Sequence, residues 1–134
     1  MSHFNELSKE WDNPEKIIQN TMYAEKINQH LSFRPVNILE VGCGTGLLGQ
    51  QFVHDDSSLL GIDTSEGMLQ VFNQKFKDNG KVQSKLLDLE TNSIAEKFDL
   101  ILSSMAFHHL KNPDQMIKKL RNNTQLLNYL IGFT

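Results

Sequence analysis

The sequence has few of the features that mark disulfide-rich, membrane-spanning or nucleic-acid-binding proteins. Its 134 residues include a single cysteine, Cys43, so no disulfide can form within the chain, and this favours a reducing compartment. No apolar run approaches the roughly 20 residues that cross a bilayer, and the polar segment 1–10 lacks the pattern of a signal peptide. The 13 basic residues are spread along a chain with 16 acidic ones, which gives no footprint for nucleic acid. We therefore expect one cytoplasmic domain with neither nucleic acid nor a membrane as partner.

Segments with strand-like and helix-like patterns alternate along the chain. Helix-start residues and helical spacing predict a helix from Asn13 to before Arg34, and others at 46–54, 65–77 and from Asn112 to Arg121. Short apolar runs predict strands at 36–41, 59–63, 82–87 and 98–103. The tail, 126–133, suits either a fifth strand or a continued helix, and we favour the strand. The alternation predicts an α/β fold with a parallel sheet, preceded by an N-terminal helical cap region, residues 1–34.

A glycine-rich loop follows the first predicted strand. Its sequence is Gly42-Cys43-Gly44-Thr45-Gly46, and glycines allow positive φ angles and close approach of a ligand to the backbone. Asp63 ends the next predicted strand, and the carboxyl ends of neighbouring strands meet where an open α/β sheet binds its ligand. An acidic side chain at this position can accept hydrogen bonds from two ribose hydroxyls. The pattern therefore predicts a nucleotide-type site.

The residues alone leave two nucleotides open. The segment 44–49 fits the dinucleotide pattern G-x-G-x-x-G, which would indicate an NAD-dependent oxidoreductase. Two features weigh against NAD: the glycines begin earlier, at Gly42, and Glu40 lies at the end of the strand that precedes the loop. A carboxylate at Glu40 would repel a pyrophosphate but attract the ammonium group of S-adenosylmethionine (SAM).

Four segments resemble the motifs of class I SAM-dependent methyltransferases, in their order and spacing. They are 38–46, 60–68, 88–89 and 98–110, and the resemblance covers residues 4–121. It is nearest to the small-molecule methyltransferases of that family. The resemblance implies a doubly wound, Rossmann-like and mostly parallel sheet, SAM as cofactor, and methyl transfer to an unidentified small-molecule acceptor.

The resemblance also implies roles for individual residues. Glu40 and the loop backbone would face the methionine part of SAM, Asp63 would hold the ribose, and Met68 would pack on the adenine. Asp88 and the Leu89 backbone would contact the adenine edge. The implied cofactor-binding residues are Glu40, Gly42, Cys43, Gly44, Gly46, Asp63, Thr64, Met68, Asp88, Leu89 and Ser103.

Each of these residues also has a plain structural interpretation. Glu40 could be a solvated carboxylate at a strand end, and Asp63 could cap the following helix. Met68 could simply belong to the core, Asp88 could begin a turn, and Cys43 is most simply a small loop residue.

Two adjacent histidines, His108 and His109, are the candidates for a catalytic base, because histidine titrates near neutral pH. They could instead be a structural pair that bonds to backbone carbonyls. The other histidines show no zinc-like spacing, so we expect no metal. Trp11 and Tyr23 could form a lid over the substrate or pack against the sheet.

The family resemblance ends at Asn122-Asn123, where its members commonly have a Pro-Gly-Gly type turn. They usually have seven strands, so we expect a chain shortened at its C-terminus that lacks the last strands. A strand at 126–133 would then be a bare apolar edge, which favours self-association. We also expect little turnover, and the alternative function is a SAM-binding module without catalysis.

Overall fold

The structure, a computed structural model, describes residues 12–103, 111, 113–122 and 124–132, with the backbone alone for residue 113 and for 124–132. Strands and helices alternate over this range. The helices are α1 (Pro14–His30), α2 (Glu66–Lys75) and α3 (Pro113–Arg121). The strands are β1 (Asn37–Val41), β2 (Ser58–Asp63), β3 (Val82–Leu86), β4 (Phe98–Ser103) and β5 (Thr124–Gly132).

The N-terminal helix α1 begins and ends as its sequence predicts. The Asn13 side chain accepts a hydrogen bond from the Lys16 amide (2.9 Å), and Pro14 occupies the first turn. The helix ends at His30, where Leu31 takes an extended conformation (φ −81°, ψ 132°), before the Arg34-Pro35 pair. α1 therefore lies just ahead of the central strand in the chain.

The five strands form one parallel sheet in the order β3-β2-β1-β4-β5. β1 is central, and its Leu39 pairs with Leu60 of β2 on one side and Ile101 of β4 on the other. The tail is a strand and not a continued helix, since β5 pairs with β4 in parallel. The predicted parallel sheet is confirmed.

The core has two layers, one on each face of the sheet. Because side chains alternate along a strand, Ile38 packs on one face, with Ile27 of α1 and Phe72 of α2. Leu39 packs on the other face, with Leu120 of α3. Helices thus cover both faces, and the doubly wound Rossmann-like arrangement is confirmed.

The helix predicted at 46–54 is wrong. Only one turn of 3-10 helix, Gly49–Gln51, follows the glycine loop. In an α-helix the Gly49 amide would bond to the Thr45 carbonyl, but here it donates to the buried Glu40 carboxylate (3.1 Å). Glycine is also a poor helix former, so the polar contact decides the local structure.

Candidate functional site

A cavity of about 520 Å³ opens at the carboxyl ends of β1 and β2, which is a typical volume for a small-molecule site. Its walls come from α1, the glycine loop, the start of α2 and the segment after β3. The lining includes Lys16, Gln19, Asn20, Tyr23, Glu40, Val41, Gly42, Cys43, Gly44, Thr45, Leu47, Leu48, Ile62, Asp63, Thr64, Ser65, Met68, Leu87, Asp88, Leu89, Glu90 and Met116. The cavity therefore lies where an open α/β sheet binds ligands.

The glycine loop is held in a left-handed backbone conformation by bonds to β2. Gly42, Gly44 and Gly46 have φ angles of 66°, 55° and 87°. The Cys43 amide donates to the carbonyl of Ile62 (2.9 Å), which ties the loop to the neighbouring strand. These bonds fix the loop before any ligand arrives.

Two of the loop glycines face different surroundings. A Cβ atom added to Gly44 would have no protein atom within 4 Å, so this residue borders open space. A Cβ atom added to Gly46 would lie 2.7 Å from Phe76 and 2.9 Å from Phe72. Gly44 is therefore on the cavity side of the loop, and Gly46 is on its core side.

Asp63 joins the loop to the start of α2. Its Oδ2 accepts from the Gly44 amide (2.8 Å), and its Oδ1 accepts from the Ser65 amide (2.9 Å). A carboxylate has about four lone-pair sites, so two remain for hydroxyl donors. The helix cap is Ser65, whose hydroxyl accepts from the Met68 amide (3.3 Å). Asp63 thus lines the cavity and does not itself cap α2.

Glu40 is a buried carboxyl group, and its interpretation as a solvated carboxylate is wrong. The residue is 1% exposed and lies in the wall of the cavity. Burial raises the pKa of Glu40 to about 8; the Gly49 hydrogen bond lowers this pKa, nearby Asp63 raises it, and Lys75 lowers it. The free site therefore holds this group largely protonated at neutral pH.

Cys43 behaves as a small buried loop residue. Its side chain is 5% exposed, and burial raises the pKa of the thiol above its ordinary range, with further increases from Glu40 and Asp63. A thiol that stays protonated is a poor nucleophile and metal ligand.

Met68 and Asp88 each combine the two roles that the sequence left open. Met68 is 4% exposed and buried, yet it lines the cavity. Asp88 accepts from the Glu90 amide (2.9 Å), as a turn residue does, and also lines the cavity. Thr64 and Leu89 complete this side of the wall.

Some candidates lie elsewhere. Ser103 is fully buried at the end of β4, opposite Val41 in the register, and is absent from the cavity lining, as is Gly46. His108 and His109 lie outside the described residues, as does Trp11. Their implied roles stay predictions.

α1 contributes more to the cavity than the sequence indicated. Its Lys16, Gln19, Asn20 and Tyr23 are all part of the wall. Tyr23 also packs against the core and accepts a hydrogen bond from Gln19 (2.9 Å). Tyr23 therefore contacts the core and also lines the cavity. One signal was present: Asn20 is a buried polar residue on the same helical face as Ala24 and Ile27.

A polar network attaches the start of α1 to the loop. The Thr45 hydroxyl donates to the Asp12 carboxylate, and the Lys75 ammonium pairs with the other oxygen of Asp12 at 2.6 Å. The side chains of Asp12 and Lys75 are only 27% and 21% exposed, so water screens this pair less than a surface pair. Asp12 therefore links three parts of the fold at the cavity.

A family model described as a methyltransferase domain matches residues 39–125, more than half of the chain. The chain belongs to this methyltransferase family. An uncharacterized methyltransferase of Schizosaccharomyces pombe is 33% identical over 95 residues, covering 63% of this chain and 34% of that protein. The ubiquinone biosynthesis O-methyltransferase of Coxiella burnetii is 26% identical over 125 residues, covering 88% and 53%. The chain thus spans about half the length, or less, of these relatives.

Solved structures show the same fold. The plantazolicin methyltransferase BpumL, in complex with a monoazolic desmethylPZN analogue and S-adenosylhomocysteine (SAH), has a TM-score of 0.78 at 25% identity, over 95% of this chain and 51% of that one. A putative SAM-dependent methyltransferase of Methanococcus maripaludis has a TM-score of 0.80 at 17% identity, over 98% and 65%.

The residues that the structure describes contain neither a cluster suited to a metal ion nor a membrane-spanning helix. Among them, no three histidine, cysteine or acidic residues are grouped so as to hold a metal ion. None of the helices described is both long enough and apolar enough to cross a membrane.

Proposed function

We propose that the cavity binds SAM and that the protein transfers the SAM methyl group to a small-molecule acceptor. The observation that carries this proposal is the position of Asp63 and its hydrogen bonds. Its carboxylate ends β2, holds the glycine loop through the Gly44 amide and lines the cavity with lone pairs to spare. Two ribose hydroxyls are the donors that such a group would accept.

The chemistry of the remaining wall fits the rest of SAM. The buried Glu40 carboxyl, once ionised, offers a partner for an ammonium group, and the cavity is open beside Gly44. Met68 gives an apolar surface for the adenine, with Asp88 and Leu89 at the same wall. A pyrophosphate would instead meet two carboxyl groups and no α-helix after the loop, so NAD fits poorly.

When bound, SAM supplies a methyl group that its sulfonium already makes electrophilic. The protein then has to hold the acceptor in line with the methyl–sulfur bond and keep water out, and orientation contributes up to about 7–11 kcal/mol in ideal cases. We propose His108 and His109 as the base for an acceptor that has to lose a proton.

The test of the site compares two aspartates with the same backbone contacts. Asp99 accepts from the Val36 and Asn37 amides (2.8 and 3.0 Å), just as Asp63 accepts from two amides, but Asp99 lies at the start of β4. Asp63→Asn and Asp99→Asn should therefore lower the free energy of unfolding by similar amounts. Only Asp63→Asn should weaken SAM binding in calorimetry, by about 10- to 100-fold, since bonds to a charged acceptor contribute about 1.5–3 kcal/mol. Equal affinity of both variants would refute the assignment.

Turnover separates the enzyme from a binding module. A screen of small-molecule acceptors with methyl-labelled SAM should yield a labelled product, and His108→Ala or His109→Ala should lower kcat more than SAM affinity. Binding of SAM without transfer to any acceptor tested would instead support a non-catalytic module.

We also propose a cytoplasmic location and self-association through β5. The location is supported by the single cysteine, whose buried thiol needs no oxidising compartment. The association is supported by the order of the described strands, in which β5 pairs on one side with β4 and leaves its other edge open.

A further inference from the structure

We propose that Glu40 is protonated in the free protein and ionised in the complex, so that binding of a ligand with a cationic amino group releases a proton to solvent. The inference rests on the proposed function, because SAM and SAH both carry such an amino group. It assigns to the site a linkage between ligand binding and pH.

The position of Glu40 leaves its charge uncompensated in the free protein. It lies on the central strand β1, is 1% exposed, and receives the Gly49 amide at 3.1 Å. One neutral hydrogen bond does not offset the cost of burying an ionised carboxylate, which in practice shifts its pKa and becomes neutral. A proton on Glu40 is the simplest way for the empty site to avoid this cost.

The charged groups on the neighbouring elements act in both directions, and burial outweighs them. Asp63 of β2 raises the pKa of Glu40, and Cys43 of the loop stays neutral. Lys75 of α2 lowers the pKa of Glu40 by the smallest amount, and its ammonium pairs with Asp12 at 2.6 Å. Lys16 of α1 is a further cation at the cavity wall. The resulting pKa of Glu40 is about 8.

An ammonium group in the cavity reverses this balance. An opposite charge within about 4–6 Å favours the ionised carboxylate and lowers its pKa by about 1–3 units. The Glu40 O–H bond then breaks, the proton passes to solvent, and the carboxylate accepts a hydrogen bond from the ammonium. The ligand keeps all its own protons, so one proton leaves the complex.

The test is calorimetric titration of SAH into the full chain at pH 6.5, in two buffers with different ionisation enthalpies. An α-amino group titrates near 7.7–8.0, so free SAH carries its ammonium at this pH and contributes almost no protons. We expect the apparent enthalpy to differ between buffers by an amount equal to the release of about 0.2 to 0.9 proton, since a pKa near 8 would fall by about 1–3. Equal enthalpies in the two buffers would overturn the inference.

Two controls locate the proton. Glu40→Gln keeps an acceptor for the Gly49 amide but cannot ionise, so SAH should bind more weakly and release no proton. Adenosine lacks the cationic α-amino group that SAH carries, so the binding of adenosine should release no proton either. Release by the variant, or release with adenosine, would overturn the inference.

An independent readout avoids any variant. The infrared carbonyl band of a protonated carboxyl should lose intensity in the wild-type chain when SAH is added at pH 6.5, and an unchanged band in the complex would overturn the inference. Failure of SAH to bind at all would overturn the proposal that the cavity binds SAM, and with it the proposed proton release. Binding without proton release would leave the cofactor in place and overturn the role of Glu40.

Discussion

Replacing two glycines of the loop separates ligand contact from folding. Gly44 and Gly46 both have positive φ angles, 55° and 87°, so alanine at either one adds backbone strain of about 1–2 kcal/mol. At Gly44 this is the whole cost, because a Cβ atom would meet no protein atom within 4 Å. At Gly46 the Cβ atom would lie 2.7 Å from Phe76, and overpacking of this kind adds about 1–3 kcal/mol.

We therefore expect opposite rankings in two assays. In urea unfolding, Gly44→Ala should lose about 1–2 kcal/mol and Gly46→Ala about 2–5 kcal/mol. In calorimetry, Gly44→Ala should weaken SAM binding at least about tenfold, since a methyl group would occupy space left for the ligand, and each factor of ten is about 1.4 kcal/mol. Gly46→Ala should retain more affinity per folded molecule, because its Cβ points to the core.

The control is Gly80→Ala, at an exposed site with ordinary φ and no atom within 4 Å of the added Cβ. It should change neither assay by more than about 0.5 kcal/mol. Unchanged SAM affinity in Gly44→Ala would refute the reasoning, because the ligand would then not lie against this side of the loop.

Two further predictions concern Glu40 and β5. Because burial raises the pKa of Glu40 from 4.5 to about 8, the wild-type free energy of unfolding should fall as pH rises between these values, by about 1.4 kcal/mol per pH unit. Glu40→Gln should lack this loss, and parallel urea-unfolding curves of the two proteins from pH 5 to pH 8 would contradict it. The open edge of β5 should give concentration-dependent association in light scattering, and a strict monomer at all concentrations would count against that surface.

The strands and the glycine loop could be predicted because their signals are local. The apolar runs that become β1 and β4 and the turn residues around them lie within a few positions of each other. The loop and Asp63 were also predictable, since parallel strands bring their carboxyl ends to one edge. The tail was ambiguous because the spacing of its apolar residues suits both a strand and a helix. Its parallel pairing with β4 shows that it is a strand.

The rest depended on contacts between distant residues. The segment 46–54 has helical spacing, but the buried Glu40, nine residues before Gly49, takes the amide that a helix needs. The bond from Thr45 to Asp12 joins residues 33 positions apart, and no local pattern indicates it. α1 lies on the cavity wall because of how the helix packs against the sheet. The spacing of apolar residues along the sequence does not indicate this packing.

Glu40 is best explained as a residue that stabilises a ligand complex and not the free protein. A neutral side chain of similar size would accept the Gly49 amide and avoid the cost of ionisation, so stability alone favours glutamine at this position. The glutamate makes the free protein less stable as pH rises toward 8, and nearby Asp63 adds to that cost. A ligand that binds only the folded state offsets such a loss by mass action, and a cationic ligand offsets it further by pairing with the carboxylate. Residues that are unfavourable for stability are expected at functional sites, and at Glu40 we therefore expect the cavity to receive a cationic group.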